Sequence, residues 1–355
     1  MAAWTWLTPA LAFGLLVLAA WAGVGSVLAV LCGIGLMAAV IAAVHHAEVI
    51  AHRVGEPFGT LILAIAITVI EASLVLSMML AGGEHTAALA RDTIYAAVMI
   101  ICTGVVGLCV VVGGVAHREQ SFRVEGAGAG LAALIVMATL TLVLPAFTTT
   151  TPAGTYSTGQ LAFVAVSSAA LWAIYVFIQT VRHRDYFIAL AVTTNGEAHA
   201  QPPTVRQAWA SLGLLLVSLV AVVGLAKLES GAIEDAVGAI GAPPSAVGVV
   251  IALLVLLPET LAAVRNARRN RVQTSFNLAL GSAMASIGLT IPAIAVASIW
   301  LDGPLVLGLG GTQIVLLAIT AIVGALTVLP GRATLQEGGV HLVLFAAFVF
   351  LAVFP

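Results

Sequence analysis

The chain has 355 residues, 61% of them hydrophobic and only 8% charged, with a formal net charge of −2 and a mean hydropathy of +1.16. Such a composition lies far from soluble globular usage and reads as a polytopic integral membrane protein, all-α in class. It excludes a soluble enzyme, and the scattering of the few basic residues through short connections leaves no nucleic-acid footprint.

A transmembrane helix needs about 20 apolar residues, and the breaks at Gly, Pro and charged clusters predict about eleven spans: 4–22, 26–44, 59–82, 92–115, 126–147, 159–181, 207–226, 244–265, 273–299, 304–329 and 338–355. Only Trp21-Ala22-Gly23-Val24-Gly25-Ser26 separates the first two. No basic segment precedes the first apolar run and no small-residue cleavage site follows it, so that span is expected to be retained. Charge supports the odd number. Assigned alternately to two sides, the connections put 11 of the 13 Lys and Arg residues on one side and only Arg91 and Lys227 on the other. By the positive-inside rule the N-terminus is then cytoplasmic and the C-terminus outside.

The second span leads into His45, His46, Glu48 and His52. No two of these histidines are four residues apart, as the zinc-protease pattern requires, and a polar interfacial helix on the cytoplasmic side accounts for them better. Histidine changes charge near neutral pH, so a pH-sensing role for His45, His46 and His52 is a second expectation. Glu56, at the start of the third span, is placed either to cap a helix dipole or to attract cations to a vestibule.

Glu71 and Glu259 differ from every other acidic residue in standing mid-way along apolar runs. An ionisable group at mid-bilayer costs roughly 2.5–3.5 kcal/mol on insertion scales, so it faces protein or a water-filled cavity and marks function. Glu71 lies about 12 residues into its span, roughly 18 Å at 1.5 Å per residue, and Glu259 a similar distance into its own from the other side, so both are expected near the middle of a core about 30 Å thick. The stretches 63–114 and 248–298 are alike: an apolar helix with one central glutamate, a charged break, then a helix rich in Gly and small polar residues. In the topology above the two run oppositely, and inverted repeats are a transporter signature. Pro258 and Pro292 are expected to interrupt their helices, while Thr68, Ser73, Thr103, Ser282 and Ser286 supply neutral oxygens.

Two carboxylates can hold a hard cation such as calcium or, with protons bound, sit neutral. Competition of cation and proton for one site is the chemistry of an antiporter. The structural alternative is a pair of protonated glutamates hydrogen-bonded between helices. Cys32, Cys102 and Cys109 fall within spans and read as packing residues. The cluster Arg265-Asn266-Ala267-Arg268-Arg269-Asn270-Arg271 reads as a lipid-facing anchor, and the glycines at 126, 128, 130, 308, 310 and 311 as close helix packing rather than phosphate loops.

The segment His52-Arg53-Val54-Gly55-Glu56-Pro57-Phe58-Gly59 followed by Thr68-Val69-Ile70-Glu71 resembles the first repeat of bacterial ChaA-type calcium/proton antiporters. Pro258-Glu259, Asn270, Asn277-Leu278-Ala279-Leu280-Gly281-Ser282 and Ile287-Gly288-Leu289-Thr290-Ile291-Pro292 resemble the second repeat, within the calcium/cation antiporter (CAX) superfamily. The likeness is strong over 45–120 and 245–295. It implies an extra N-terminal helix (1–25), two inverted five-helix repeats (26–181 and 207–355) and a cytoplasmic linker (182–206) in a bacterial inner membrane. It makes Glu71 and Glu259 the cation- and proton-binding acids, with Thr68, Thr103 and Ser282 beside them. Where the wider family has Asn in each repeat this chain has Thr68 and Leu256, and a common Gln is Ala285, which leaves fewer neutral ligands. Calcium/proton exchange is the first expectation and sodium or potassium/proton exchange the alternative. A channel and an intramembrane metalloenzyme are the other classes, and no resident cofactor is expected. The partners are the lipid bilayer and the transported ions.

Overall fold

A computed structural model describes residues 3–23, 26–55, 58–81, 86–188, 203–300 and 304–355. Helices dominate: α1 (Ala3–Ala22), α2 (Ser26–Val54), α3 (Phe58–Ala81), α4 (Thr86–Met99), α5 (Val106–His117), α6 (Val124–Ala138), α7 (Thr158–Phe177), α8 (Val205–Ala239), α9 (Ala246–Arg268), α10 (Val272–Ala297), α11 (Gly311–Val328) and α12 (Leu335–Val353). A π-helical turn, Ile100–Val105, joins α4 to α5 as one rod, and others extend α6 (Thr139–Val143) and α7 (Ile178–Arg182). Among the described residues ten helical runs are long and apolar enough to span a bilayer. The 24-residue α3, with its apolar stretch Thr68–Leu80, completes the expected set.

Several boundaries differ from the sequence expectation. The second span does not stop at 44, because α2 continues through the histidines to Val54. The seventh does not stop at 226: α8 runs 35 residues to Ala239, with Lys227, Glu234 and Asp235 exposed and Glu229 buried. The tenth begins at Gly311, since 304–310 is extended and Gly308 packs so tightly that a Cβ would stand 2.6 Å from Gly154 Cα. Pro258 and Pro292 lie inside unbroken helices. Capping explains three starts: Ser157 with Gln160, Thr204 with Gln207 and Thr334 with Glu337 each satisfy amides that the first turn leaves open.

The chain divides into two compact units, each drawing on both halves of the sequence: Met1–Thr86 with Thr194–Ile240, and Ala87–Thr193 with Gly241–Pro355. In the first, α8 packs on α1, α2 and α3. In the second, α10 lies among α5, α6, α7 and α9. Small residues let it approach closely; a Cβ at Gly288 would stand 2.5 Å from that of Trp172.

Within the second unit the arginine-bearing connections gather at one end. β1 (Glu119–Ser121) pairs antiparallel with β2 (Arg332–Thr334). Gln120 Nε2 donates to Ala267 O at 2.8 Å, His117 Nε2 lies 2.9 Å from Arg268 O, and Asn277 Nδ2 donates to Phe187 O at 2.6 Å. At the other end of the α4–α5 rod, Val306 N donates to Ala87 O at 3.0 Å and Val306 bridges Thr155. Nearby, outside the spans, Tyr156 donates to Leu140 O at 2.6 Å, and burial pushes its phenol up to about 12.

Candidate functional site

In the second unit α9 and α10 form an antiparallel hairpin whose register is set by two contacts. Ser275 Oγ donates to Ala263 O at 2.7 Å, and Ser282 Oγ donates to Glu259 Oε1 at 3.0 Å. One helical turn separates Glu259 from Ala263 on one face of α9. Glu259 is 7% exposed, and its carboxylate accepts this bond from a hydroxyl of the facing helix. Continuing that register puts Ser286, 2% exposed, one turn further along α10, level with Leu254 and Val255 of α9. Proline has no N–H, so Pro258 leaves the Leu254 carbonyl without its usual helical donor. The interruption expected at Pro258 is therefore a freed oxygen in an intact helix. Glu259 and the Ser282 hydroxyl that donates to it are oxygens of the kind a hard cation or a proton uses.

Thr103 is fully buried in the π-helical turn of the same unit and donates to Met99 O. Its proton is spent on the backbone and only its lone pairs remain for a ligand. The turn packs on both α9 and α10, and such turns recur at functional sites because they offset the side chains around them.

In the first unit Glu71 is 3% exposed on α3, with Thr68, equally buried, one turn before it. Ser73 is half-buried. Two turns beyond Glu71, Ser77 donates to Val223 O of α8 at 3.0 Å, which pins α3 to α8.

The histidines separate. His46 is fully buried, with Nε2 2.9 Å from Thr5 O and Nδ1 3.3 Å from Ser211 Oγ. His45 lies against Trp4 and His46 with ring centroids at 5.0 and 5.6 Å, while His52 is exposed. His46 thus ties α1, α2 and α8 together, and the sequence expectation of an interfacial helix does not describe it. Glu56 lies outside the described residues. Among the described residues no three His, Cys, Asp or Glu side chains gather as metal ligands, and the three cysteines are free and buried.

Two buried acids went unnoticed in the sequence. Asp92, 6% exposed, takes a 2.8 Å bond from Arg91 Nε. Glu229, 4% exposed, lies on the part of α8 expected to be a loop.

The profile of the sodium/calcium exchanger protein family matches residues 24–181 and 210–354. The chain belongs to that family. The exchanger is 46% identical over 335 residues to y4hA, a candidate ionic transporter of Sinorhizobium fredii, covering 93% of this chain and 90% of that one. It is 33% identical over 319 residues to the sodium-potassium/proton antiporter ChaA of Escherichia coli, covering 89% and 86%. Its fold is that of the H+/Ca2+ exchanger CAX (TM-score 0.74, 17% identity, 98% and 87% covered) and of native YfkE (TM-score 0.74, 16% identity, 99% and 100% covered). The exchanger is therefore a ChaA-type antiporter of the CAX superfamily, an integral membrane cation transporter and not an enzyme.

Proposed function

We propose that the exchanger moves Ca2+ against H+ by alternating access, with Glu71 and Glu259 as the carboxylates for which cation and proton compete. The observation that carries this is the burial of two carboxylates, 3% and 7% exposed, each in the middle of an apolar helix. Such groups are tolerated in a bilayer where they bind something. A divalent cation takes several oxygens, some of them anionic. Without it, protons restore neutrality, so release of one ion requires uptake of the other. Thr68, Ser73, Thr103, Ser282 and Ser286 are the proposed neutral oxygens. The family profile meets the chain in two stretches of similar length, which supports an inverted pair of five-helix repeats at 26–181 and 207–355, a further helix at 1–25 and a linker at 182–206. The convergence of Arg118, Arg123, Arg268 and Arg332 at one end of the second unit supports a cytoplasmic N-terminus and an outer C-terminus, and the bacterial relatives support a bacterial inner membrane.

Sodium or potassium exchange is the second reading, favoured by the relation to a sodium-potassium/proton antiporter and by the loss of amide ligands at Thr68 and Leu256. Everted vesicles carrying an established pH gradient separate the two. Calcium should collapse the gradient in wild type and fail to do so in Glu71→Gln and Glu259→Gln; collapse by sodium or potassium alone would change the substrate, and retained exchange in either variant would remove the carboxylate mechanism.

A further inference from the structure

The first unit holds a second buried carboxylate that exchange at Glu71 does not use. Glu229 is 4% exposed on α8, and its Oε1 has no hydrogen-bond partner among the described residues. The face of α8 that carries it is regular: Ser211, Leu215, Ser218, Val222, Leu225 and Glu229 are all buried, spaced alternately four and three residues apart. This is the spacing of a helix seam, and polar residues take three of its six places. Ser211 is matched by His46, whereas the Ser218 hydroxyl, like Glu229 Oε1, is unpartnered among the described residues.

The opposing surface is defined. His46 of α2 meets Ser211, a Cβ at Gly35 would lie 3.6 Å from Leu225 Cδ1, and Cys32 lies near enough to Glu229 to interact with its charge. Rising numbers on α8 thus meet falling numbers on α2, and the helices are antiparallel. α3 returns after the turn at Gly55, whose φ is +78°, and so runs with α8, with Ser77 at Val223. Glu71 lies six residues before Ser77 and Glu229 six residues after Val223. The two carboxylates are therefore roughly 18 Å apart along the helix direction at 1.5 Å per residue. Glu229 is too far away to be another ligand at Glu71.

Among the described residues, no cation on the packed elements answers it. α1 carries no titratable side chain, α2 brings Cys32, and α3 brings Glu71 at a different level. On α8 itself Lys227 is exposed and two residues away, a spacing at which helix side chains do not face each other. Glu234 and Asp235 are exposed. A carboxylate buried without a counter-charge is costly unless it binds a proton or an ion.

We propose that Glu229 is a separate proton- and cation-binding site, placed in the α2–α8 seam at the end away from His46. Protonated, it is neutral and lets α2 and α8 close; ionised, it draws in a small hard cation or water and loosens that seam. It thus couples the packing of this helix pair to pH and to cation at a place other than the exchange carboxylates.

A carbodiimide converts a protonated carboxyl in apolar surroundings to an N-acylurea, which mass spectrometry locates by residue. In purified Glu71→Gln/Glu259→Gln protein, Glu229 should be modified at least threefold faster at pH 6 than at pH 8.5, and millimolar calcium should slow it. No modification of Glu229, or equal rates at the two pH values, would overturn the proposal; indifference to calcium would overturn its cation part. This readout needs no exchange activity, so it fails separately from the mechanism at Glu71 and Glu259. In the otherwise native chain Glu229→Gln should flatten the pH dependence of exchange and Glu229→Asp should restore it. A profile for Glu229→Gln superimposable on wild type would also overturn it, and the modification of the native residue stands as evidence even where that variant fails to fold.

Discussion

Replacing Ser282 by Ala removes a hydroxyl that donates to Glu259 Oε1 from the facing helix, at 3.0 Å. Alanine keeps α10 helical and leaves a space of a single oxygen, so the effect should fall on the ions more than on the fold. A hydrogen bond to a charged group contributes about 1.5–3 kcal/mol net and one to a neutral group about 0.5–1.5 kcal/mol. The hydroxyl therefore favours the ionised carboxylate, the form that holds a cation, by about 1–1.5 kcal/mol. At about 1.4 kcal/mol per factor of ten, Ser282→Ala should raise the half-maximal calcium concentration roughly 5- to 10-fold at pH 7. The shift should grow as pH falls and protons compete better, while the maximal rate is kept. Ser282→Thr retains the hydroxyl and should stay near wild type. The assay is calcium-dependent collapse of a pH gradient in everted vesicles, titrated at two pH values. Half-maximal concentrations within a factor of two of wild type at both would refute the role given to this bond.

Gly308→Ala should destabilise the second unit by about 1–3 kcal/mol, because its Cβ would stand 2.6 Å from Gly154 Cα; an unchanged melting temperature in detergent would contradict the close approach. Gln120→Ala breaks the bonds to Ala267 O and Asn270 Oδ1 and leaves a buried carbonyl unmet, a loss of about 1–3 kcal/mol read by the same melting measurement. His46→Ala should cost a similar amount by freeing Thr5 O and Ser211, and its exchange should keep the wild-type pH profile; a shifted profile would restore a sensing role. Tyr156, with its phenol raised to about 12, holds stability that is fully present below the ordinary phenol value near 10 and fades as pH rises towards 12. Tyr156→Phe should therefore lose part of the alkaline destabilisation seen in wild type across that window and show no new pH dependence between 6 and 9.

The helices were legible because each is a long apolar run closed by Gly, Pro or charge. Glu71 and Glu259 stood out because a carboxylate in such a run has no local justification. Glu229 escaped for the converse reason: Lys227 two residues earlier marks the end of an apolar run, yet the two side chains leave α8 in different directions, and only packing on α2 shows which is buried. His46 escaped in the same way, since its partners Thr5 and Ser211 lie 41 and 165 residues distant. Pro258 carried a true signal with the wrong consequence. Its missing N–H was read as a break, but the helix tolerates one lost bond and the carbonyl of Leu254 is what changes. The π-helical turn at Thr103 and the β1–β2 pairing have no sequence mark of their own, because both arise from how neighbouring segments meet.

The most direct measurement is coupled flux in proteoliposomes holding the purified protein, following calcium and protons together after a pH gradient is imposed. If Glu71 and Glu259 hold cation and proton in turn, calcium will move only against a proportional proton flow, and Glu71→Gln and Glu259→Gln will each stop both. Calcium flux without proton counterflow, or coupled flux that survives either substitution, would contradict exchange at these two carboxylates.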